Sequence, residues 1–135
     1  MGEVRVKVKL INAVDEGLAR RGLLASDQVR TYEGEALIDT GAVASVLPYT
    51  VTQQLGVSTV RYERARYANA TEEDVPVSES VGVELEGRRT TEEMFVLGDK
   101  VLIGQTILER LDLLVDCSNR RLLPVHPQGL IMKIK

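Results

Sequence analysis

One carboxylate stands in an apolar stretch of this sequence, in a setting that suits acid–base chemistry. The stretch covers residues 36–48 and reads ALIDTGAVASVLP, with Asp39 as its only charged residue. Burying a charge without a partner is costly, so such an aspartate either accepts backbone N–H bonds and shapes a turn, or has its protonation tuned for chemistry. Thr40 and Gly41 follow, adding a hydroxyl group and a residue that lets another backbone approach closely. Asp39 is therefore the first candidate for a reacting group.

Other reactive side chains are few. Cys117 is the only cysteine and His126 the only histidine, so no intrachain disulfide can form and neither a zinc site nor a nucleophile–histidine arrangement is indicated. We expect His126 to be a surface loop residue. Asp116, in LLVDCSN, lacks a following Thr or Ser and Gly, and we expect it to form a turn before Asn119. The sequence predicts no metal and no cofactor.

Composition sets the class of protein. The 135 residues are 44% hydrophobic and 27% charged, which predicts one soluble domain over residues 1–135. A net charge of -3 and 4% aromatic residues argue against a nucleic-acid partner. No segment has the length of a membrane span, and residues 1–10 alternate charge with valine where a signal peptide has an apolar block. We expect a cytoplasmic protein without a membrane partner.

The elements that must position Asp39 are mostly strands. Alternation in residues 3–11 predicts a half-buried strand, with Arg5, Lys7 and Lys9 on the solvated face of a sheet edge. Gly17 and Gly22 favour an irregular connection after it. Further strands are predicted at residues 31–39, 45–48, 58–68, 75–85, 89–98 and 100–104. Residues 113–125 are predicted as two short strands around an Asn-centred turn, and residues 129–135 as a last strand. Short helices are predicted at residues 105–112 and at residues 48–56, where Pro48 is tolerated in the first turn and Gly56 can form a left-handed cap. The fold class is therefore all-β, a barrel or sandwich.

Two separated blocks carry a family resemblance. Residues 36–48 resemble the active-site loop of the retropepsin-like aspartic proteases, which reads apolar residues, Asp-Thr-Gly-Ala, two variable residues, Ser or Thr, then apolar residues. Residues 101–112, VLIGQTILERLD, resemble the apolar-apolar-Gly segment and short helix that brace this loop. The resemblance covers residues 31–124 and is closest to the bacterial, non-viral members. The matching loop positions are Leu37, Ile38, Asp39, Thr40, Gly41, Ala42, Ser45, Val46 and Leu47.

This resemblance implies a closed β-barrel with a flap hairpin and an aspartic endopeptidase that acts on polypeptides. The chain has one such motif, so the resemblance implies a homodimer in which two copies of Asp39 meet and share a proton. Asp39, Thr40 and Gly41 are then catalytic, with the Thr40 hydroxyl bonding across the dimer axis. A catalytically silent peptide-binding or dimerisation module of the same fold is the alternative.

The resemblance also implies which residues surround the substrate-binding cleft of such a protease. The hairpin within residues 62–81 corresponds to the flap, with its tip in residues 68–74; this tip has no glycine and is acidic. Gly104 would let the bracing segment lie close under the loop. Residues 3–11 and 130–135 are candidates for an intersubunit sheet, although pairing within one chain is the alternative. The residues assigned to substrate binding are Ala42, Val43, Ala68, Asn69, Ala70, Ile103 and Gly104.

Overall fold

The computed structural model describes residues 3–135, which form mostly β-sheet with a few short helices. The helices are α1 (Ala13–Arg20), α2 (Tyr49–Leu55) and α3 (Gln105–Arg110). The strands are β1 (Arg5–Asn12), β2 (Thr31–Asp39), β3 (Val46–Leu47), β4 (Thr59–Arg66), β5 (Glu72–Ser78), β6 (Val81–Leu85), β7 (Arg88–Glu92), β8 (Phe95–Val96), β9 (Val101–Gly104), β10 (Leu113–Asp116) and β11 (Arg121–Pro124).

Nine of these strands form one sheet that curls into a half-barrel. Its order is β4-β5-β8-β3-β9-β2-β1-β6-β7, and β10 and β11 form a separate hairpin. β9 lies between β2 and β3, parallel to the first and antiparallel to the second. The chain segment that joins β2 to β3 must therefore pass over the end of β9. The all-β prediction is confirmed, whereas a closed barrel remains a prediction.

The hydrophobic core fills the concave side of the sheet and fixes the strands next to Asp39. Ala36 of β2, Leu47 of β3 and Ile103 of β9 are almost wholly inaccessible to solvent. Ile107 and Leu108 of α3 are buried with them, as the apolar spacing of that helix predicts. Helix α2 begins directly after Pro48 and ends at Leu55, and Gly56 adopts a left-handed φ of 69°, so the predicted left-handed cap is confirmed.

The irregular connection expected after β1 is instead helix α1. Asn12 caps this helix by accepting a hydrogen bond from the Asp15 N–H at 2.9 Å. Asp15 is buried and accepts two bonds from the Arg30 guanidinium, at 2.8 and 2.9 Å. Because the side-chain bonds to Arg30 outweigh burial, they lower the pKa of Asp15. This distant ion pair stabilises a helix that contains Gly17 and is followed by Gly22.

The predictions for the two terminal segments need correction. β1 is not an edge strand, because it pairs with β2 along Arg5–Ile11 and with β6 from Lys9 onward. Its predicted alternation holds, since Val8 and Leu10 are buried. Residues 129–135 form no strand within the chain, although β-like alternation predicted one. Their large apolar side chains stay exposed, among them Ile131 and Ile134.

The burial of Glu92, at the end of β7, can be tested by measuring stability as a function of pH. Its Oε2 atom is buried without a hydrogen-bond partner in the described chain, and burial raises the pKa of Glu92 above the ordinary value of 4.5. Below a pH of about 4.5 the Glu92 carboxyl is mostly neutral in both the folded and the unfolded chain. The free-energy cost of burying its charge therefore appears only as the pH rises. Urea unfolding should show E92Q gaining stability over wild type between about pH 4 and about pH 7.

An equivalent substitution at an exposed glutamate provides the control for this measurement. Glu33 is exposed on β2, so E33Q removes the same charge without removing a buried carboxylate. The stability difference between E33Q and wild type should change little over the same pH range. An E92Q advantage that is equal at both ends of the range would contradict the explanation by burial.

Candidate active site

Asp39 is the last residue of β2, and strand geometry decides where its side chain points. Successive strand residues face opposite sides of a sheet. Ala36 is buried and Ile38 packs against the core, so Asp39 lies on the other face. Its side chain is exposed in the single chain. The apolar residues around it therefore do not bury the charge, and the desolvation cost considered from sequence is absent here.

The Asp39 carboxylate also shapes the turn that follows it. Its Oδ1 atom accepts a hydrogen bond from the Gly41 N–H at 3.0 Å, and its backbone carbonyl accepts one from the Ala42 N–H at 3.1 Å. No hydrogen bond to Oδ2 is found within residues 3–135. The structural and chemical explanations for this aspartate are therefore compatible, because one oxygen orders the turn and the other remains accessible.

Three successive backbone amides hold the loop after Asp39 in place. The Gly104 N–H donates to Ser45 Oγ at 2.9 Å, and the Gln105 N–H donates to the Ala42 carbonyl at 2.8 Å. The Thr106 N–H donates to the Val43 carbonyl at 3.3 Å. Since Asp39 also pairs with Gly104 across the parallel ladder, both ends of the loop are tied to the β9–α3 junction.

The backbone around Gly104 leaves no room for a side chain at this position. Its backbone is extended, with φ of −89° and ψ of 177°, so no special dihedral calls for glycine. A Cβ at this position would lie 2.6 Å from the Ala44 carbonyl oxygen, 2.8 Å from that of Val43 and 2.9 Å from that of Ala42. The close approach expected from sequence between the loop and the bracing segment is what this geometry shows.

The remaining residues assigned to the loop and brace fall into two groups. Thr40 and Gly41 are exposed beside Asp39, Val43 is 75% exposed, and Ala42 is half-buried. Ile103 was assigned to substrate binding, but it is 0% exposed and belongs to the core. It pairs in register with Ile38, which packs against the same core, so its side chain lies on the face opposite Asp39. The sequence shows an apolar residue before Gly104 but does not show which face it occupies.

The hairpin assigned as a flap is formed by β4 and β5, with its tip at residues 67–71. Asn69 builds the tip in place of glycine, since its Oδ1 atom accepts from the Thr71 N–H at 3.1 Å and the Thr71 hydroxyl at 2.6 Å. Ala70 takes a φ of 67°, which is unusual for a residue with a Cβ. Ala68, Asn69 and Ala70 are exposed, and the hydrogen bonds of the tip are local.

The acidic residues expected at this tip lie in β5, and two of them are paired with arginines. Glu72 bonds Arg66 at 2.7 Å, and Asp74 lies 3.5 Å from Arg64. Glu73 instead accepts a hydrogen bond from the Tyr67 hydroxyl group, and this bond raises the pKa of Tyr67. The tip, expected within residues 68–74, lies at residues 67–71, and two of the three acidic residues that follow it are paired with arginines across the strands.

Outside this loop, Asp116 and His126 both have structural partners. Asp116 accepts from the Asn119 amide side chain at 2.8 Å, which agrees with its predicted role in a turn. His126 lies 2.6 Å from Asp112 and, as the main cause, lowers the pKa of that carboxyl. Residues 3–135 contain no cluster of ligands suited to a metal ion. None of the helices in the described chain has the length and apolar character needed to cross a bilayer.

Ser45 is the residue that sequence reasoning passed over. It fitted the loop pattern, but no role was assigned to it. Its side chain is 1% exposed, and it makes the one side-chain hydrogen bond among the three amide contacts of the loop.

Comparison with known proteins finds no family model that matches the chain and no curated protein that matches it.

Proposed function

We propose that this protein is an aspartic endopeptidase of the retropepsin-like fold, a peptide hydrolase active as a homodimer. The observation that carries the proposal is the placement of Asp39. Its carboxylate is exposed at a strand end, and the loop that follows is fixed by three amides and by the close approach of Gly104. A site for general acid–base chemistry needs both an accessible carboxylate and a fixed position.

The chemistry requires a second copy of Asp39. Two carboxyl groups held close together in a water-poor cleft share one proton, and the pair titrates as a unit. The ionised member takes a proton from a water molecule, which attacks the scissile carbonyl, while the protonated member donates to the carbonyl oxygen. Return of a proton to the amide nitrogen breaks the C–N bond and releases the amine. This mechanism uses only side chains and water.

The neighbours of Asp39 take supporting roles in this proposal. The Thr40 hydroxyl bonds to the loop of the second copy, and Gly41 lets that loop and the substrate approach without a Cβ between them. Ala42 and Val43 line the cleft beside the scissile bond. The β4–β5 hairpin acts as the flap that covers bound polypeptide, with Ala68, Asn69 and Ala70 nearest to it.

Two surfaces support dimer formation. Residues 130–135 carry exposed apolar side chains without a strand partner in the described chain, including Leu130, Ile131 and Ile134. The first half of β1, before Lys9, pairs with β2 alone, so its other edge is free of β6. A two-fold axis brings identical surfaces together, and homodimers of this symmetry are the commonest assemblies.

A silent module of the same fold is the second candidate, favoured by the bond from the Gly41 N–H to Asp39 Oδ1. That bond gives the aspartate a structural use without catalysis. The two candidates differ in what they do to an unfolded protein. The endopeptidase cleaves it, whereas the module binds it and leaves it intact.

The test combines cleavage and assembly. An unfolded protein substrate is incubated with the full chain across a pH series, and the dimer is measured by sedimentation equilibrium. We expect cleavage that is faster at mildly acidic pH than above neutrality, because the dyad must hold one proton, and specific activity that follows the dimer fraction. A chain that stays monomeric wherever it cleaves, or rates that keep climbing well above neutrality, would count against the proposal.

A further inference from the structure

We propose that Ser45 is a positioning residue for Asp39, with its hydroxyl fixing the height of the catalytic loop over β9. This inference rests on the proposed function, because it assigns a role within the same site. Ser45 is 1% exposed, and its Oγ atom accepts the Gly104 N–H at 2.9 Å. Gly104 is also the residue that Asp39 faces across the parallel ladder. One residue of β9 is thus the reference point for both ends of the loop.

The three amides that hold the loop differ in what a mutation can remove. The Gln105 and Thr106 N–H groups bind the carbonyls of Ala42 and Val43, and a backbone carbonyl survives every substitution. The Gly104 N–H binds a side-chain oxygen. Ser45 is therefore the one link of the three that a side-chain change can delete while leaving the other two intact.

The crowding around Gly104 and the hydrogen bond to Ser45 together limit where the loop can lie. The Ala42, Val43 and Ala44 carbonyls already crowd the point where a Cβ would stand, at 2.6 to 2.9 Å. The loop is consequently packed against β9 without room to move inward. The Ser45 hydroxyl acts in the other direction, since it prevents the loop from lifting outward. Reacting groups held in this way lose rate steeply with small displacements, about 10²-fold for a shift near 1 Å.

A second buried hydroxyl offers a matched control. Thr52 is 6% exposed, and its Oγ1 atom donates to the Tyr49 carbonyl at 2.6 Å. It lies in α2, outside the Asp39 loop, its brace and the flap hairpin. T52V therefore removes a buried hydroxyl while keeping the shape of the side chain, and leaves the bond between Ser45 and Gly104 in place.

The experiment compares S45A, S45T and T52V in the full chain, with rates referred to the folded fraction. We expect S45A to lower kcat roughly 10- to 100-fold with little change in KM, and to alter the pH–rate profile. S45T keeps the hydroxyl and should recover most of the rate, while T52V should keep the wild-type kcat and profile. Equal losses in S45A and T52V, or full activity in S45A, would overturn the role.

A readout independent of catalysis separates this inference from the proposed function. The backbone amide of Gly41, which donates to Asp39 Oδ1, is followed by ¹H–¹⁵N NMR in each variant. Its chemical shifts should change in S45A and match wild type in T52V, whether or not the protein cleaves a substrate. Unchanged Gly41 shifts in S45A refute the positioning role by themselves, whereas an inactive wild type with the expected NMR change refutes the protease proposal alone.

Discussion

Replacement of Asp39 by asparagine is expected to abolish cleavage of unfolded protein, with a loss of about 10³-fold or more in kcat/KM. Asparagine has nearly the same shape, but it can neither take a proton from water nor share one with its counterpart. The fold should be unaffected, because the side chain is exposed and its Oδ1 atom can still accept the Gly41 N–H. Initial rates on a quenched fluorescent substrate and urea unfolding curves measure the two effects separately.

The matched control is Asp27→Asn. Asp27 is exposed in the short 3-10 turn Ser26–Gln28, 12 residues before Asp39 and outside its loop, so this variant removes the same charge elsewhere. D27N should cleave like wild type, and both variants should sediment as dimers. A D39N protein that cleaves as well as wild type would end the case for an aspartic protease. A wild type that binds but never cleaves would favour the silent module.

Gly104→Ala should cost both stability and activity, with the loss of activity exceeding the loss of folded protein. The added methyl group would meet three carbonyl oxygens at 2.6 to 2.9 Å. Backbone oxygens cannot rotate away, so the loop must shift or β9 must move. Overpacking of this kind costs about 1–3 kcal/mol in the free energy of unfolding. Urea unfolding gives the stability, and kcat per folded molecule shows whether activity falls by more than the loss of folded protein explains.

Gly17→Ala serves as the control for the same chemical change. Gly17 lies within α1, and the nearest atom to an added Cβ is a guanidinium nitrogen of Arg20 at 3.6 Å. Alanine in a helix interior is favoured over glycine by up to about 1 kcal/mol, so G17A should be neutral or stabilising. A G104A protein that is as stable and active as G17A would show that the crowding around Gly104 is relieved without consequence.

Local patterns were enough to predict the elements that carry the site. Period-two alternation placed β1, and the Pro48 and Gly56 signals placed the ends of α2. The apolar run ending at Gly104, followed by a helical pattern, placed β9 and α3. These features depend on residues within a few positions of one another, and a single sequence displays them directly.

Long-range contacts explain what local patterns missed. Helix α1 depends on Asp15 meeting Arg30, and no short window contains both residues. β1 was taken for an edge strand because its pairing with β6 cannot be seen in its own alternation. The burial of Ile103 and the bond from Gly104 to Ser45 arise only when β9 passes under the loop. Pattern gives the type of an element, and tertiary packing decides its neighbours.

The way the Asp39 loop is anchored also bears on how readily this protein can diversify. The side chains at Ala42, Val43 and Ala44 take no part in the hydrogen bonds that anchor the loop, since the backbone carbonyls of Ala42 and Val43 make those bonds. For the proposed protease, substitutions at these three positions should therefore alter the floor of the cleft while Asp39 keeps its place. Selectivity and reactivity would then be encoded by separable parts of one short segment, which makes these positions the natural ones to randomise when a library with new substrate preferences is built.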